Sequence, residues 1–389
     1  MKVIQENIHE QINKLKGELA EVSRYIYDNP EIGLEEKKAA DKLAGVLDKH
    51  GFSVKYPVGN TETAFQATIT GESDLPHIAL LAEYDALPNI GHACGHNLIA
   101  TAALGAGLAL IKAIPSLKGR VSVIGTPAEE ILSDSGKMRL VDAGIFNDVD
   151  VAMMVHPHCH TWIDKPFLAV DDISVSFKGK SSHAASSPHF GINAYDALQL
   201  TFTGISFLRQ QLRQDARIHW GNISIGGAVN VIPDISSANI CVRASDDAYT
   251  KELTAKVINC VKGAELMSGC IAEYKISEGY RSMKYNQPLN ALFQKNLDQL
   301  GVAVDELPPH GRAGSTDMGN VSQVVPSIHP FFKIHDTAVP HTIEFREAAK
   351  TDEAFEAALL AAEAMAMTAA DLISDSKLVK QAKEGFEKK

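Results

Sequence analysis

Residues 91–97 read GHACGHN. His92, Cys94 and His96 are residue types that bind metal ions or attack carbonyl groups. Alone they have plainer readings, since a free cysteine is a small buried hydrophobe and a histidine is often a hydrogen-bonded part of a core. The rest of the chain bears on the choice. The apolar run HIALLAEYD (77–85) ends in Glu83 and Asp85, and RVSVIGTPAEE (120–130) ends in Glu129 and Glu130. DVAMMVHPH (150–158) ends around His156, and SIHPFFKI (327–334) runs into HDTAVPHT with His335 and His341. Ligands of open α/β sheets bind beyond the carboxyl ends of the strands, so polar sets at these strand ends converge. Together with the Cys-x-His loop they point to a metal site. Residues two apart in an extended segment face the same way, so Cys94 and His96 are expected to share one site, with Asn97 capping the helix that follows. A second chemistry remains open, in which Cys94 is a nucleophile with a nearby histidine as base. It leaves the acidic pair and His341 without a task.

The elements that must position these residues are legible in the pattern. A chain of 389 residues is long for one core and suggests two domains. The first sixty residues read as helical, with a break at DNPEIG. Apolar strand-like runs then alternate with helices, including the Ala- and Gly-rich run 98–114, which predicts an α/β domain with a mostly parallel sheet covered by helices. From DDISVSFKG (171–179) the strands alternate as half-exposed strands do. The order strand, helix, strand, strand, helix, strand over 171–282 predicts an inserted ferredoxin-like domain. The catalytic domain is thus expected in two parts, 1–170 and 283–389, around an insert at 171–282.

Composition narrows the function classes. Hydrophobic residues make up 45% and charged residues 22%, as in ordinary globular proteins, and the net charge of −11 argues against nucleic acid as a partner. Five scattered cysteines without a CxxC pair suit a reducing, cytoplasmic compartment. The N-terminus is amphipathic without the apolar core of a signal peptide. The 98–114 run is short for a membrane span and reads as a buried helix, so no membrane partner is expected.

HACGHN, TPAEE, MMVHPH, GKSSHAA, GGAVNVIPD, GSTDMGNVSQVVPSIHPFF and PHT occur in that order. The chain resembles the dinuclear metallo-amidohydrolases related to aminoacylase and glutamate carboxypeptidase. The branch it most resembles holds auxin-conjugate and hippurate hydrolases, aminobenzoyl-glutamate hydrolase and Xaa-Arg or β-alanyl dipeptidases. YDNPEIGLEEKKAADKLAGVLDKHGF is similar to the N-terminal helix pair of that branch. The resemblance implies that Cys94 bridges two metal ions, and that His96, Glu130, His156 and His341 complete their ligands. It further implies Glu129 as general base, His183 closing over the substrate carbonyl, and Asn230 as a substrate contact. Asn97 departs from the Asp that many relatives carry there. Glu83-Tyr84-Asp85 replaces the wider superfamily's His-x-Asp, so Asp85 is expected to orient a ligand rather than bind metal.

The implied reaction is metal-dependent hydrolysis of the amide bond of N-acyl amino acids or dipeptides. A metal pair acidifies water and polarises the carbonyl, Glu129 moves the proton from water to the leaving amine, and His183 donates to the oxyanion. Thiolate and imidazole ligands favour Zn, with Mn, Co or Ni as alternatives. His158, His160 and His335 are expected beside the site or on the surface, His189 and His329 in structural roles, and Cys159, Cys241, Cys260 and Cys270 as ordinary buried thiols. A metal-binding sensor without activity is the third reading, against which the spare base Glu129 argues. The substrate is expected to carry a free α-carboxylate, with Arg243 and Arg312 as candidates to read it. The insert is expected to pair two chains into a homodimer.

Overall fold

The computed structural model describes residues 2–73, 76–308 and 313–387. It divides into two compact units, one of residues 1–166, 283–313 and 317–389, the other of residues 167–282 and 314–316.

The first unit is built on a six-stranded sheet in the order Ser53–Lys55, Phe65–Thr70, Arg120–Gly125, His77–Ala82, Val151–Met153, Ser327–Ile328. The last four run parallel to one another, and the first two form an antiparallel edge. His77–Ala82 is buried at every position, as expected of a central strand with both faces covered. Helix His96–Ala113 packs against it and against the long helices Lys2–Asp28 and Asp352–Ser374. Small residues allow the close approach: a Cβ on Gly107 would stand 2.6 Å from Val123 Cγ2. Helices His96–Ala113 and Asp352–Ser374 are long and apolar enough to cross a membrane, but 89% and 83% of their apolar windows are buried inside the protein.

The runs 150–158 and 327–334 each divide into two short strands rather than one. Val151–Met153 pairs with Ser327–Ile328, and His156–His158 pairs with Phe331–Lys333. Pro330 has no N–H to continue the ladder, and its carbonyl instead accepts the His156 N–H at 3.0 Å. The jog places the His156 side chain beyond the parallel sheet.

The second unit is a four-stranded antiparallel sheet in the order Ile271–Glu278, Ala169–Lys178, Ile235–Ala244, Arg217–Ile225. Helices Ala194–Leu208 and Asp247–Ser268 pack on the alternating residues Ile173, Val175, Phe177, Ile240 and Val242. Each helix starts at a side-chain cap: Asn193 Oδ1 accepts the Tyr195 N–H and Asp246 Oδ1 the Tyr249 N–H. The chain order is β-α-β-β-α-β, the ferredoxin-like arrangement. A separate two-stranded ladder joins Ser182–His183 to Val231–Ile232.

Candidate metal centre

Cys94 and His96 share a site, but not through an extended segment. Residues 91–95 form a turn, and Gly95 has φ +76, a left-handed conformation that a side chain would strain. A Cβ there would also meet Pro157 Cγ at 2.6 Å. Gly95, not Asn97, stands at the helix N-cap. Asn97 is inside the helix, where its amide donates to Ser23 Oγ at 3.2 Å and to the Ala349 carbonyl at 3.1 Å. The turn lets His96 occupy the first helical position directly beneath the strand ends.

The two buried imidazoles are held alike. His96 Nδ1 lies 2.9 Å from both the Asp85 carbonyl and Asp85 Oδ1, so it donates there. His96 Nε2 faces inward, without a hydrogen-bond partner among the described residues, 3.5 Å from Glu83 Oε2. His156 Nδ1 donates to the Pro157 carbonyl at 2.8 Å, which turns Nε2 to within 3.5 Å of Cys94 Sγ. In both rings an oriented Nδ1–H leaves the Nε2 lone pair available, the arrangement of metal-binding histidines. Asp85 spans two loops, since its Oδ2 accepts the Glu130 N–H at 3.0 Å. Glu130 Oε1 in turn stands 3.2 Å from His341 Nε2. His341, at φ +70, donates its N–H to the Ala93 carbonyl at 2.9 Å, which ties the late loop to the Cys94 turn.

Ligand atoms of Cys94, His96 and His156 lie within 4.8 Å of one another, as do those of Cys94, Glu130 and His341, and those of His96, Glu129 and Glu130. Cys94 belongs to two of these sets and so joins the His156 side to the His341 side. Burial, followed by the charge of Glu130, raises the Cys94 thiol well above its ordinary value. Burial, followed by Glu130 and Glu83, raises Glu129 likewise. Burial holds His156 neutral far down the scale, with His329 and His96 adding to the effect. Burial opposes charge on His96, but Asp85 and Cys94 overcome it and raise that imidazole. Acidic groups are therefore crowded into a desolvated space with the Nε2 atoms of His96 and His156 facing them. A divalent cation relieves that situation, and thiolate, imidazole and carboxylate together are its donors.

A fourth set, Glu83, Glu129 and Asp317, also lies within 4.8 Å, but it has its own cation. The fully buried Lys137 ammonium bonds Glu83 Oε1 and, at 2.6 Å, Asp317 Oδ1. Sequence reading missed Lys137 and Asp317. The only signal was Asp317 inside the quoted GSTDMGN segment, with nothing to show that a lysine from a helix at Gly136–Asp142 would meet it.

The other sequence candidates are distributed as follows. His183 is exposed, and its Nδ1 accepts the Ala185 and Ser186 N–H groups at 3.2 Å. Asn230 is its neighbour across the short ladder, its carbonyl accepting the Ala184 N–H at 2.9 Å. Arg243 donates to Ser315 Oγ at 3.2 Å and lies 3.3 Å from Cys241 Sγ. Arg312 is outside the described residues. His158 packs at 4.8 Å on Trp162, and His160 stacks at 4.5 Å on the same ring. His335 is exposed and accepts two backbone N–H groups of its own turn. His189 is exposed, while His329 is buried 5.6 Å from the His156 ring. All five cysteines are free; Cys159 and Cys270 are buried, whereas Cys241 and Cys260 are only half-buried, on a two-sided strand and a helix flank.

Comparison with known proteins gives these residues a context. The chain is 37% identical to Xaa-Arg dipeptidase of Homo sapiens, over 97% of this chain and 91% of that protein. It is 30% identical to a p-aminobenzoyl-glutamate hydrolase polypeptide of Escherichia coli K12, over 99% of this chain and 95% of that one. Among solved structures, a dinuclear metal-binding peptidase of Bacillus subtilis superposes with a TM-score of 0.73 at 22% identity, covering 93% of this chain and 99% of the other. The aminobenzoyl-glutamate utilization protein of Klebsiella pneumoniae gives a TM-score of 0.72 at 19% identity, over 94% and 98%. Both structural likenesses speak for the fold. The family model for peptidase family M20/M25/M40 matches residues 79–370, from the central strand through the last long core helix, and relatives along nearly the whole length are hydrolytic enzymes, so the chain belongs to peptidase family M20/M25/M40.

Proposed function

We propose that this hydrolase cleaves the amide bond of dipeptides or N-acyl amino acids with two divalent metal ions. The observation that supports this most is the convergence of Cys94, His96, Glu130, His156 and His341 around two inward-facing imidazole nitrogens, with the buried carboxylate of Glu129 beside them. Relatives named for dipeptide, aminobenzoyl-glutamate and acetyl-cysteine substrates support the same reading.

Cys94 would be shared by both ions, His156 would hold one and His341 the other, and His96 and Glu130 would complete the donors. Bound there, such ions supply Lewis acidity toward water and the scissile carbonyl. Zn suits a thiolate and imidazole set best, with Mn, Co or Ni as alternatives. The chain's own residues do the rest. Glu129 carries a proton from the attacking water to the leaving amine, as a buried carboxylate beside the ligands can. Asp85 fixes the tautomer of His96. His183 donates to the developing oxyanion, Asn230 contacts substrate beside it, and Arg243 or Arg312 pairs with a free α-carboxylate. In this reading the insert 171–282 serves as lid and pairing domain between the catalytic parts 1–170 and 283–389. Its outer strands show exposed Ile223, Ile225, Tyr274 and Ile276, which suits pairing with a second copy. The acidic net charge and the free cysteines suit a cytoplasmic enzyme without nucleic-acid or membrane partners.

Elemental analysis joined to a screen of dipeptides and N-acyl amino acids tests the proposal. Exhaustive chelation is expected to abolish hydrolysis and re-addition of Zn, Mn, Co or Ni to restore it. Full activity in metal-free enzyme would overturn the reading in favour of Cys94 as nucleophile.

A further inference from the structure

The loop that carries Glu129 and Glu130 contains a conformation it would not adopt unaided. Ala128 has φ +58, a left-handed geometry that strains a non-glycine residue. Its N–H donates to Glu36 Oε1 at 2.8 Å. Glu36 is fully buried, and its second oxygen accepts the Thr63 hydroxyl at 3.0 Å. A buried carboxylate from 92 residues upstream thus ends on the residue before Glu129.

The same upstream segment grips a second loop. The Glu31 carbonyl accepts the Ala86 N–H at 2.8 Å, immediately after Asp85, and Ile32 bridges Ala86 in parallel register. Glu31 is itself anchored, because its carboxylate accepts the Lys38 and Ala39 N–H groups at 3.1 Å, at the start of helix Lys37–Lys49. Between the two grips, Gly33 lies against the Ala128 turn. A Cβ on Gly33 would stand 3.1 Å from Ala128 Cα and 2.8 Å from Ile131 Cδ1.

We propose that the segment 31–36 is a positioning clamp for the reaction, in which Glu36 holds the left-handed Ala128 turn that presents Glu129 and Glu130 while Glu31 holds the loop of Asp85. It touches neither substrate nor metal and acts through Glu129, so it rests on the role proposed for that residue. Misplacing a catalytic group by about 1 Å can cost a hundredfold in rate, which gives the clamp its leverage.

The test compares Glu36→Ala, Glu36→Gln, the double variant Glu36→Ala with Ala128→Gly, and Glu129→Gln, each with measured kcat, KM, bound metal and hydrogen exchange of residues 126–131. Glu36→Ala is expected to lower kcat at least tenfold with KM within about twofold under saturating metal, and to deprotect the 126–131 amides. Glu36→Gln keeps an acceptor for Ala128 and should remain near wild type. Glycine adopts the left-handed turn unaided, so the double variant should recover most of the lost kcat, a rescue that a general loss of stability would not give. Should Glu36→Ala fail to fold, Gly33→Ala carries the test, because it wedges the turn without emptying a buried site, and the same fall in kcat is expected. An unchanged kcat in Glu36→Ala or Gly33→Ala, with Glu129→Gln inactive, overturns the clamp. A fully active Glu129→Gln overturns the parent reading instead.

Discussion

His96 and His183 are both candidate histidines at the ends of elements, and their surroundings are opposite. His96 has no exposed surface and is held through Nδ1 by two oxygens of Asp85. His183 is exposed on a ladder two residues long, and its ring accepts the N–H groups of its own turn. The first is fixed before any ligand arrives; the second is free to adjust. Burial with one oriented nitrogen suits a metal ligand, because a loosely held donor loses affinity to conformational entropy, although His341 in the second set is exposed. The difference separates a side chain fixed by its surroundings from one that is not.

The largest break in this contrast comes from inside the buried region. Glu129→Gln is expected to lower kcat by about a hundredfold to ten-thousandfold with bound metal unchanged; near-normal turnover at full metal content would show that the base lies elsewhere. His183→Ala should follow, with a loss of about 3–4 kcal/mol of transition-state stabilisation. Because the side chain is exposed, unfolding stability should stay within about 0.5 kcal/mol of wild type. A parallel loss of metal or of melting temperature would place His183 with the structural residues instead. Substrate choice sharpens the exposed side further. A dipeptide or N-acyl amino acid should be hydrolysed about a hundredfold better in kcat/KM than its C-terminal amide, since an unpaired arginine is costly. Equal values would remove carboxylate recognition. The smallest effect is expected for Asp85→Ala, which should weaken metal affinity about tenfold to a hundredfold and be repaired by added metal. A metal titration indistinguishable from wild type would sink Asp85 as the residue that orients His96.

The sequence alone determined the residue types and their order. The mostly apolar runs leading to Glu83, Glu129 and His156, bounded by prolines, read as strands of a covered sheet. The alternation in the strands from residue 171 reads as a half-exposed sheet. The candidate ligands were legible because hydrophobic strands leave their chemistry at their ends. Tertiary structure decided what these residues are to one another. It placed Cys94 and His96 together through a left-handed glycine rather than a pleat, moved Asn97 from a cap into the helix, and divided two strand runs, one of them at Pro330, beside His156. It also assembled partners from far apart in the chain, Lys137 with Asp317 across 180 residues and Glu36 with Ala128 across 92. No local pattern announces such pairs. A buried charge or a strained turn is tolerable only when a distant group satisfies it, and distance along the chain is what folding removes.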